Sequence, residues 1–300
     1  MEHQLSDTLL QCPSCSGNNF VTHLELDDYF LSQEHFTISK CTKCGLLITV
    51  PQPSETDLGK YYKSSEYISH ATKNTGIEFW LYDQVRKITL SSKLKLIKKY
   101  SIGKRLLDIG CATGVFLDYC GKRGFIVQGI EPNQNARHYA NKQFGLTVND
   151  VSHLTELPYK SFDVITMWHV LEHVSDLNER LVHLNNLLAD EGTAFIALPN
   201  PLSYDALHYK NHWAAYDVPR HLYHFTQQSF STLIAKHNLK IIEIVPMVFD
   251  AYYISLQSEK YRNGSKSFLK ALYQGFRSNQ YAKANGKNYS SLIYILKKTK

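Results

Sequence analysis

Apolar and polar positions alternate along most of the chain in a way that predicts strands and helices in turn. The predicted strands are Arg105–Ile109, Phe125–Ile130, Leu146–Val148, Phe162–Met167, Thr193–Leu198, Leu239–Pro246 and a last one near Ser291–Leu296. The predicted helices between them are Gly114–Arg123, Gln134–Phe144, Leu177–Leu188 and Gln227–His237. This order predicts an α/β fold in which helices wrap a mostly parallel sheet.

The N-terminal part follows a different pattern, framed by two pairs of cysteines. Cys12 and Cys15 form one Cys-x-x-Cys turn, Cys41 and Cys44 form another, and residues 20–39 alternate like short strands. Two such turns supply the four thiolates that tetrahedral zinc prefers, and four ligands leave no position for water. The pattern therefore predicts a zinc ribbon with a structural zinc. The alternatives are a redox pair or a disulfide framework, which the expected reducing compartment disfavours.

These patterns divide the chain into three parts. Residues 1–53 are the predicted zinc-ribbon module, and residues 54–103 are a helical linker or lid containing a predicted helix over Ile77–Tyr100. Residues 104–300 form the α/β domain. Two segments without the strand and helix alternation, about 200–226 and 250–289, are predicted to be insertions that contact a substrate.

Composition and charge narrow the function classes. Hydrophobic residues make up 43% of the chain, no apolar run has the length of a membrane span, and no secretion signal opens it, so we expect a cytoplasmic protein. The net charge is +6, but Arg86–Arg105 and Lys260–Lys300 contain basic residues and no acidic ones. Such clustering favours an anionic substrate or partner, although solvated lysines on two helix faces would give the same pattern.

A glycine turn follows the first predicted strand of the α/β domain. Gly110 can adopt the positive φ that such a turn needs, and Gly114 allows the next helix to lie close to a ligand. Glu131 ends the second predicted strand, where its carboxylate can accept hydrogen bonds from both hydroxyls of a ribose. The combination predicts a site for a cofactor that contains a nucleoside.

Asp108-Ile-Gly110-Cys-Ala112-Thr-Gly114 resembles the first motif of the class I methyltransferases that use S-adenosylmethionine, with Ala112 where that family often has a second glycine. The resemblance implies a Rossmann-like, doubly wound sheet of seven strands. It also implies that Asp108 and Gly110 flank the methionine part of the cofactor, that Glu131 holds the ribose, and that Asp150 and Val151 lie beside the adenine. The residues assigned to the cofactor are thus Asp108, Gly110, Cys111, Ala112, Gly114, Glu131, Asp150, Val151 and His169.

A nicotinamide dehydrogenase is the rival interpretation of this segment. A dinucleotide needs Gly-x-Gly-x-x-Gly so that backbone amides can approach its pyrophosphate, and here positions 112 and 115 are not glycine. The acidic Asp108 also suits a cofactor with ammonium and sulfonium charges better than one with phosphates. The sequence therefore favours a methyltransferase.

The candidates for chemistry follow the fourth and fifth predicted strands. His169, at the end of the fourth strand, is expected to face the cofactor. The string His169-x-x-Glu172-His173 also matches an inverted zinc-protease motif, but it begins at a strand end and shows no further ligand, which argues against a metal. Glu172 and His173 could equally cap or pack the next helix.

A second group of polar and aromatic residues lies in the first insertion. It resembles a Pro-Arg-His-Leu-x-His-Phe-Thr element of bacterial small-molecule methyltransferases. Histidine titrates in the range of a general base, and an arginine fork suits an acidic substrate group. The predicted catalytic residues are His169, His221 and His224 as candidate bases, with Tyr216 and Arg220 to position the substrate. A buried hydrogen-bonded network is the alternative.

The sequence thus predicts a methyltransferase that uses S-adenosylmethionine and acts on oxygen or carbon of a small molecule, with a sugar-like or lipid-linked metabolite as a candidate. An RNA methyltransferase, with the zinc ribbon and the basic segments holding phosphates, is the first alternative. The Asn-Pro-Pro-aromatic element of amino-methylating nucleic-acid enzymes does not follow the fourth strand, which lowers that alternative. A binding or scaffolding protein without catalysis is the second.

Overall fold

The structure is a computed structural model that describes residues 11–62 and 77–299. The strands are β1 (Phe20–Asp27), β2 (His35–Cys41), β3 (Leu47–Val50), β4 (Arg105–Ile109), β5 (Ile126–Ile130), β6 (Val148–Asn149), β7 (Phe162–Trp168), β8 (Leu188–Pro199), β9 (Tyr223–His224), β10 (Leu239–Pro246) and β11 (Ser291–Lys298). The helices are α1 (Glu55–Leu58), α2 (Ile77–Tyr100), α3 (Val115–Gly121), α4 (Gln134–Phe144), α5 (Leu177–Leu187), α6 (Tyr204–Tyr209), α7 (Gln227–Ala235), α8 (Asp250–Asn263) and α9 (Phe268–Ala284).

The larger sheet has, among the described residues, seven strands in the order β10-β11-β8-β7-β4-β5-β6. Strands β4 to β8 pair in parallel, and β11 pairs antiparallel with both β8 and β10. The order reverses at β4, so a crevice opens between the carboxyl ends of β4 and β7, where open α/β sheets bind ligands. The predicted α/β class and the seven-stranded, doubly wound sheet are confirmed.

Both faces of this sheet are buried, as the apolar runs of its central strands require. Successive residues of β4 point to opposite faces: Leu107 joins one hydrophobic core and Leu106 the other. Ile97 of α2 is fully buried in the second core, so this helix covers one side of the sheet. The predicted helix over Ile77–Tyr100 therefore packs on the flank of the domain.

The smaller sheet has the order β1-β2-β3-β9. Strands β1 to β3 form the antiparallel ribbon, and the two residues of β9 come from the insertion after β8 and pair with β3, Leu47 opposite His224 and Ile48 opposite Tyr223. Ile48 lies in the same hydrophobic core as Leu107. The ribbon and the α/β domain consequently share a sheet and a core.

The predicted parts 1–53 and 54–103 include residues 1–10 and 63–76, which lie outside the described residues, as does residue 300. The boundaries of the three parts stay predictions. The segment 250–289 contains helices α8 and α9, which pack against each other. Among the described helices, none is long and apolar enough to cross a membrane.

Candidate functional site

The turn after β4 has the geometry that its glycines predict. Gly110 has a φ of +76°, and a Cβ placed on it would lie 2.4 Å from Cγ2 of Val170, so no larger residue fits. Its N–H donates to the carbonyl of Ile130 at 2.7 Å, which ties the turn to β5. Gly114 begins helix α3 with a φ of +77°. The positive end of that helix therefore faces the crevice.

Glu131 lies beside this turn, with its carboxylate buried and both oxygens bonded. One oxygen accepts from the backbone N–H of Ala112 at 2.8 Å, and the other from Asn133 at 2.9 Å. Burial raises the pKa of Glu131, although these two N–H groups act to lower it. Because a carboxylate oxygen has more than one lone pair, each can still accept a hydroxyl of a ribose.

Asp150 and Val151 follow β6, next to the end of β5. The N–H of Glu131 donates to the carbonyl of Asn149 at 3.0 Å, which sets the two strand ends side by side. Arg137 of α4 bridges them, since its guanidinium donates to the Glu131 carbonyl and pairs with the Asp150 carboxylate at 2.7 Å. The residues predicted to hold ribose and adenine thus lie at one edge of the crevice.

Asp108 is buried under the turn, where its carboxylate accepts from the hydroxyl of Thr166 at 2.5 Å. Burial raises its pKa to about 7, against this hydrogen bond and the charge of Lys93, which both lower it. Lys93 of α2 has its ammonium 4.1 Å from the ring centre of Trp168. Burial lowers the pKa of Lys93 to about 8. The crevice therefore holds one acidic and one basic group close together.

His169 directly follows β7 and has a φ of +57°, a conformation uncommon for a residue other than glycine. Its Nδ1 lies 3.3 Å from Glu172 and its Nε2 lies 3.1 Å from Asp250 at the start of α8. Burial alone would lower the pKa of His169, but the hydrogen bonds and charges of Asp250 and Glu172 raise it to about 9. The imidazole therefore lies between two carboxylates, which favour its cationic form.

Arg220 joins the ribbon to the insertion after β8. Its guanidinium bonds to both oxygens of Asp28 in the ribbon, to Asp217, and to the carbonyl of Tyr61, so that all five N–H groups have an acceptor. The side chain is 3% exposed. Its predicted role with an acidic substrate group stays a prediction, and binding a substrate anion would require it to give up one of these bonds.

His221, His224 and Tyr216 lie in the same insertion as Arg220. The N–H at Nε2 of His224 donates to the hydroxyl of Thr49 in β3 at 3.1 Å, because that hydroxyl itself donates to the carbonyl of His221. Tyr216 is buried and packs edge-on against the His224 ring. His221 instead packs against His173, with ring centres 4.5 Å apart. Of these three residues, His221 is the one that lies beside Glu172 and His173. Glu172 in turn contacts His169.

The four ribbon cysteines converge. Sγ of Cys12 lies 3.5 Å from Sγ of Cys44, the Cys15 and Cys41 sulfurs are also 3.5 Å apart, and all four lie within 4.8 Å of one another. A tetrahedron with zinc–sulfur bonds of about 2.3 Å has edges of about 3.8 Å. The free thiols therefore have a spacing that fits a tetrahedral metal.

Sequence reasoning missed two site residues and one grouping of residues. Lys93 gave no signal, since it lies in a basic run where any lysine looks solvated. Asp250 stands 81 positions from His169, in a segment predicted only as an insertion. The third is the pairing of His221 with Glu172 and His173, whose ligand atoms lie within 4.8 Å of one another. His221 thus adds a third potential ligand to Glu172 and His173, which the sequence argument did not identify.

Comparisons with known proteins define the family. The profile described as "Methyltransferase domain" matches residues 82–244, which is more than half of the chain. A ubiquinone biosynthesis O-methyltransferase from Actinobacillus pleuropneumoniae is 34% identical over 110 residues, 33% of this chain and 47% of that protein. One from Coxiella burnetii is 31% identical over 106 residues, 33% of this chain and 44% of that protein. The chain spans about half the length of these relatives.

Solved structures agree on the fold. Magnesium protoporphyrin IX methyltransferase from Synechocystis gives a TM-score of 0.54 at 12% identity and covers 82% of this chain and 100% of that one. A methyltransferase from Thermotoga maritima that depends on S-adenosylmethionine gives a TM-score of 0.51 at 16% identity and covers 74% of this chain and 95% of that one. The chain therefore belongs to the class I methyltransferases that depend on S-adenosylmethionine.

Proposed function

We propose that this protein transfers a methyl group from S-adenosylmethionine to an oxygen atom of a small molecule. The observation that carries the proposal is the position of His169 and Asp250, whose side chains meet at the carboxyl end of β7 beside the cofactor turn. A polar pair at that place can align an acceptor and receive its proton. The names of the curated relatives favour oxygen as the acceptor atom over carbon.

The cofactor side of the crevice would bind its ligand by charge and hydrogen bonds. Glu131 would accept from the ribose hydroxyls, and Asp150 with Val151 would lie beside the adenine. Asp108 suits the ammonium of the methionine part, and Lys93, at 4.1 Å from the Trp168 ring centre, suits its carboxylate. When bound, S-adenosylmethionine supplies a methyl carbon already activated by its sulfonium.

The acceptor side would then have two tasks, alignment and removal of one proton. Asp250 accepts a hydrogen bond from Nε2 of His169, so the imidazole fixes the direction of the carboxylate. The Asp250 carboxylate, held in place by His169, would accept the proton that the acceptor oxygen loses when it is methylated. The Trp168 and Phe116 rings, packed edge-on, keep water from the nearby crevice wall.

The class of acceptor can be tested with a methyl-labelled cofactor. Full-length protein and S-adenosylmethionine carrying a trideuteriomethyl group are incubated with phenols and catechols, nucleotide sugars, lipid extracts and short RNA. We expect the label on oxygen of a small molecule, sugar-like or lipid-linked molecules being the first to try. Label on RNA, with binding that weakens steeply as salt rises, would support the nucleic-acid alternative. Absence of S-adenosylhomocysteine binding would favour a scaffolding protein.

We also propose that Cys12, Cys15, Cys41 and Cys44 hold one structural zinc. Their sulfurs are free, close and framed by a ribbon whose Ser14 hydroxyl donates to the carbonyl of Ser229 in α7. Since the ribbon shares a core with the α/β domain, the zinc would stabilise both. Metal analysis after expression in zinc-replete medium should give about one zinc per chain. A Cys44→Ser variant that keeps its zinc would contradict this.

A further inference from the structure

A second group of metal-binding side chains lies outside the cysteine cluster. A short turn over Leu171–His173 follows β7 and carries Glu172 and His173, and the insertion after β8 brings His221 against them. One ligand atom of each lies within 4.8 Å of the others. Glu172 is fully buried, and His221 is 8% exposed. Three side chains distant in sequence therefore share one small volume in the interior.

The hydrogen bonds of the two imidazoles leave one nitrogen of each available. Nδ1 of His173 lies 2.9 Å from the carbonyl oxygen of Arg220 and 3.0 Å from the hydroxyl of Tyr62, and Nδ1 of His221 lies 2.9 Å from the carbonyl oxygen of Ala215. Nε2 of His221 lies 4.0 Å from the Asp217 carboxylate, which is beyond hydrogen-bonding distance. A carbonyl can only accept, so both Nδ1 atoms carry a proton. In a neutral imidazole this leaves a lone pair on Nε2. Histidines that bind metals are held in the same way, by a carbonyl on the other ring nitrogen.

The carboxylate of Glu172 is only half satisfied. Its Oε1 contacts Nδ1 of His169 at 3.3 Å, but Oε2 has no hydrogen-bond partner among the described residues, although it is fully buried. An unpaired carboxylate oxygen in the interior is costly, and most such atoms have a partner. A cation between this oxygen and the two imidazoles would supply that partner.

We propose that Glu172, His173 and His221 bind one divalent transition-metal cation, separate from the four cysteines. Two imidazoles and one carboxylate make a ligand set that leaves coordination positions open. His173 is half-buried, so the site can be reached from outside.

The location of the site suggests what its open positions do. Val170, next to the turn, fills the space over Gly110 of the cofactor loop, and Glu172 contacts His169. The cation would therefore lie beside the methyl-transfer centre, within reach of an acceptor oxygen, whose pKa it would lower. This last step rests on the proposed function, whereas metal binding does not.

Cobalt(II) is a suitable probe because its absorption differs between sulfur and nitrogen or oxygen ligands. Full-length protein whose cysteine site has first been filled with zinc is titrated with Co²⁺, without cofactor or acceptor. We expect one further Co²⁺ per chain, with d–d bands and no thiolate charge-transfer band. Glu172→Gln and His221→Asn should each raise the dissociation constant of this further Co²⁺ at least about 10-fold. His153→Ala, which removes an imidazole that faces solvent beside Glu156, should not.

Two further measurements keep the outcome decisive. Anomalous diffraction from wild-type crystals soaked in Co²⁺ should give a peak between the three side chains, which needs no variant to fold. Wild-type protein that binds no further Co²⁺, or a peak elsewhere, would overturn the proposal, since water then satisfies Glu172. Binding of S-adenosylhomocysteine to the wild-type protein, measured separately, tests the proposed function. If the protein binds Co²⁺ at this site but does not bind S-adenosylhomocysteine, the proposed function is rejected and the metal site is retained.

Discussion

The two sides of the crevice are built from the chain in different ways. The cofactor side comes from the continuous stretch of residues 105–151, with Lys93 added by α2. The acceptor side is assembled from distant parts: His169 meets Asp250 across 81 positions, and Arg220 meets Asp28 of the ribbon across 192. In the proposed function a local motif would therefore carry cofactor binding, whereas the acceptor site would need the ribbon, the insertion and α8 together.

Arg220→Ala should cause the largest change in free energy. It tests whether Arg220 stabilises the structure around the acceptor side or binds the substrate directly. Removing the guanidinium leaves the buried Asp28 carboxylate with backbone N–H donors but no opposite charge, so we expect the free energy of unfolding to fall by about 3–5 kcal/mol. Denaturant unfolding measures this. Arg277→Ala, on the exposed face of α9, is the control and should stay within about 0.5 kcal/mol of wild type. Unchanged stability with a raised KM would instead support Arg220 as a substrate ligand.

Glu131→Gln tests the cofactor side alone. The change removes a charged acceptor while keeping the shape of the side chain, so affinity for S-adenosylhomocysteine should fall by about 1.5–3 kcal/mol. Calorimetry gives the dissociation constant, and Glu156→Gln, an exposed carboxylate after β6, should leave it unchanged. If the Glu131 variant binds as tightly as wild type, the ribose is held elsewhere.

Lys93→Met should also lower the affinity for S-adenosylhomocysteine, but by less. Methionine keeps contact with the Trp168 and Phe116 rings but loses the ammonium, so we expect affinity for S-adenosylhomocysteine to fall by about 1 kcal/mol. The loss should disappear for adenosine, which lacks the methionine carboxylate. An equal loss for both ligands would mean that Lys93 acts through packing rather than through its charge.

The sequence predicts the strands of the larger sheet and the helices between them because their signals are local, whereas α6, α8 and α9 in the two insertions were not predicted. The helices over Ile77–Tyr100 and Gln134–Phe144 and the strand Leu239–Pro246 have the predicted bounds. The cofactor turn is equally local, since its glycines are required by positive φ and close contact. Strand β9 was not predicted, because two residues give no periodicity and its partner β3 is far away in sequence. For the same reason a carboxylate–imidazole cluster made by the turn after β7 and the insertion gave no local signal.

The central claim is that one side of the crevice binds the cofactor and the other acts on the acceptor, and His169→Asn tests it most directly. Asparagine tolerates the positive φ at this position, so the backbone should be preserved. With the acceptor found by the deuterium screen, we expect turnover to fall at least about 100-fold while the dissociation constant of S-adenosylhomocysteine stays within about twofold. Full turnover in this variant, or loss of cofactor binding with it, would contradict the account.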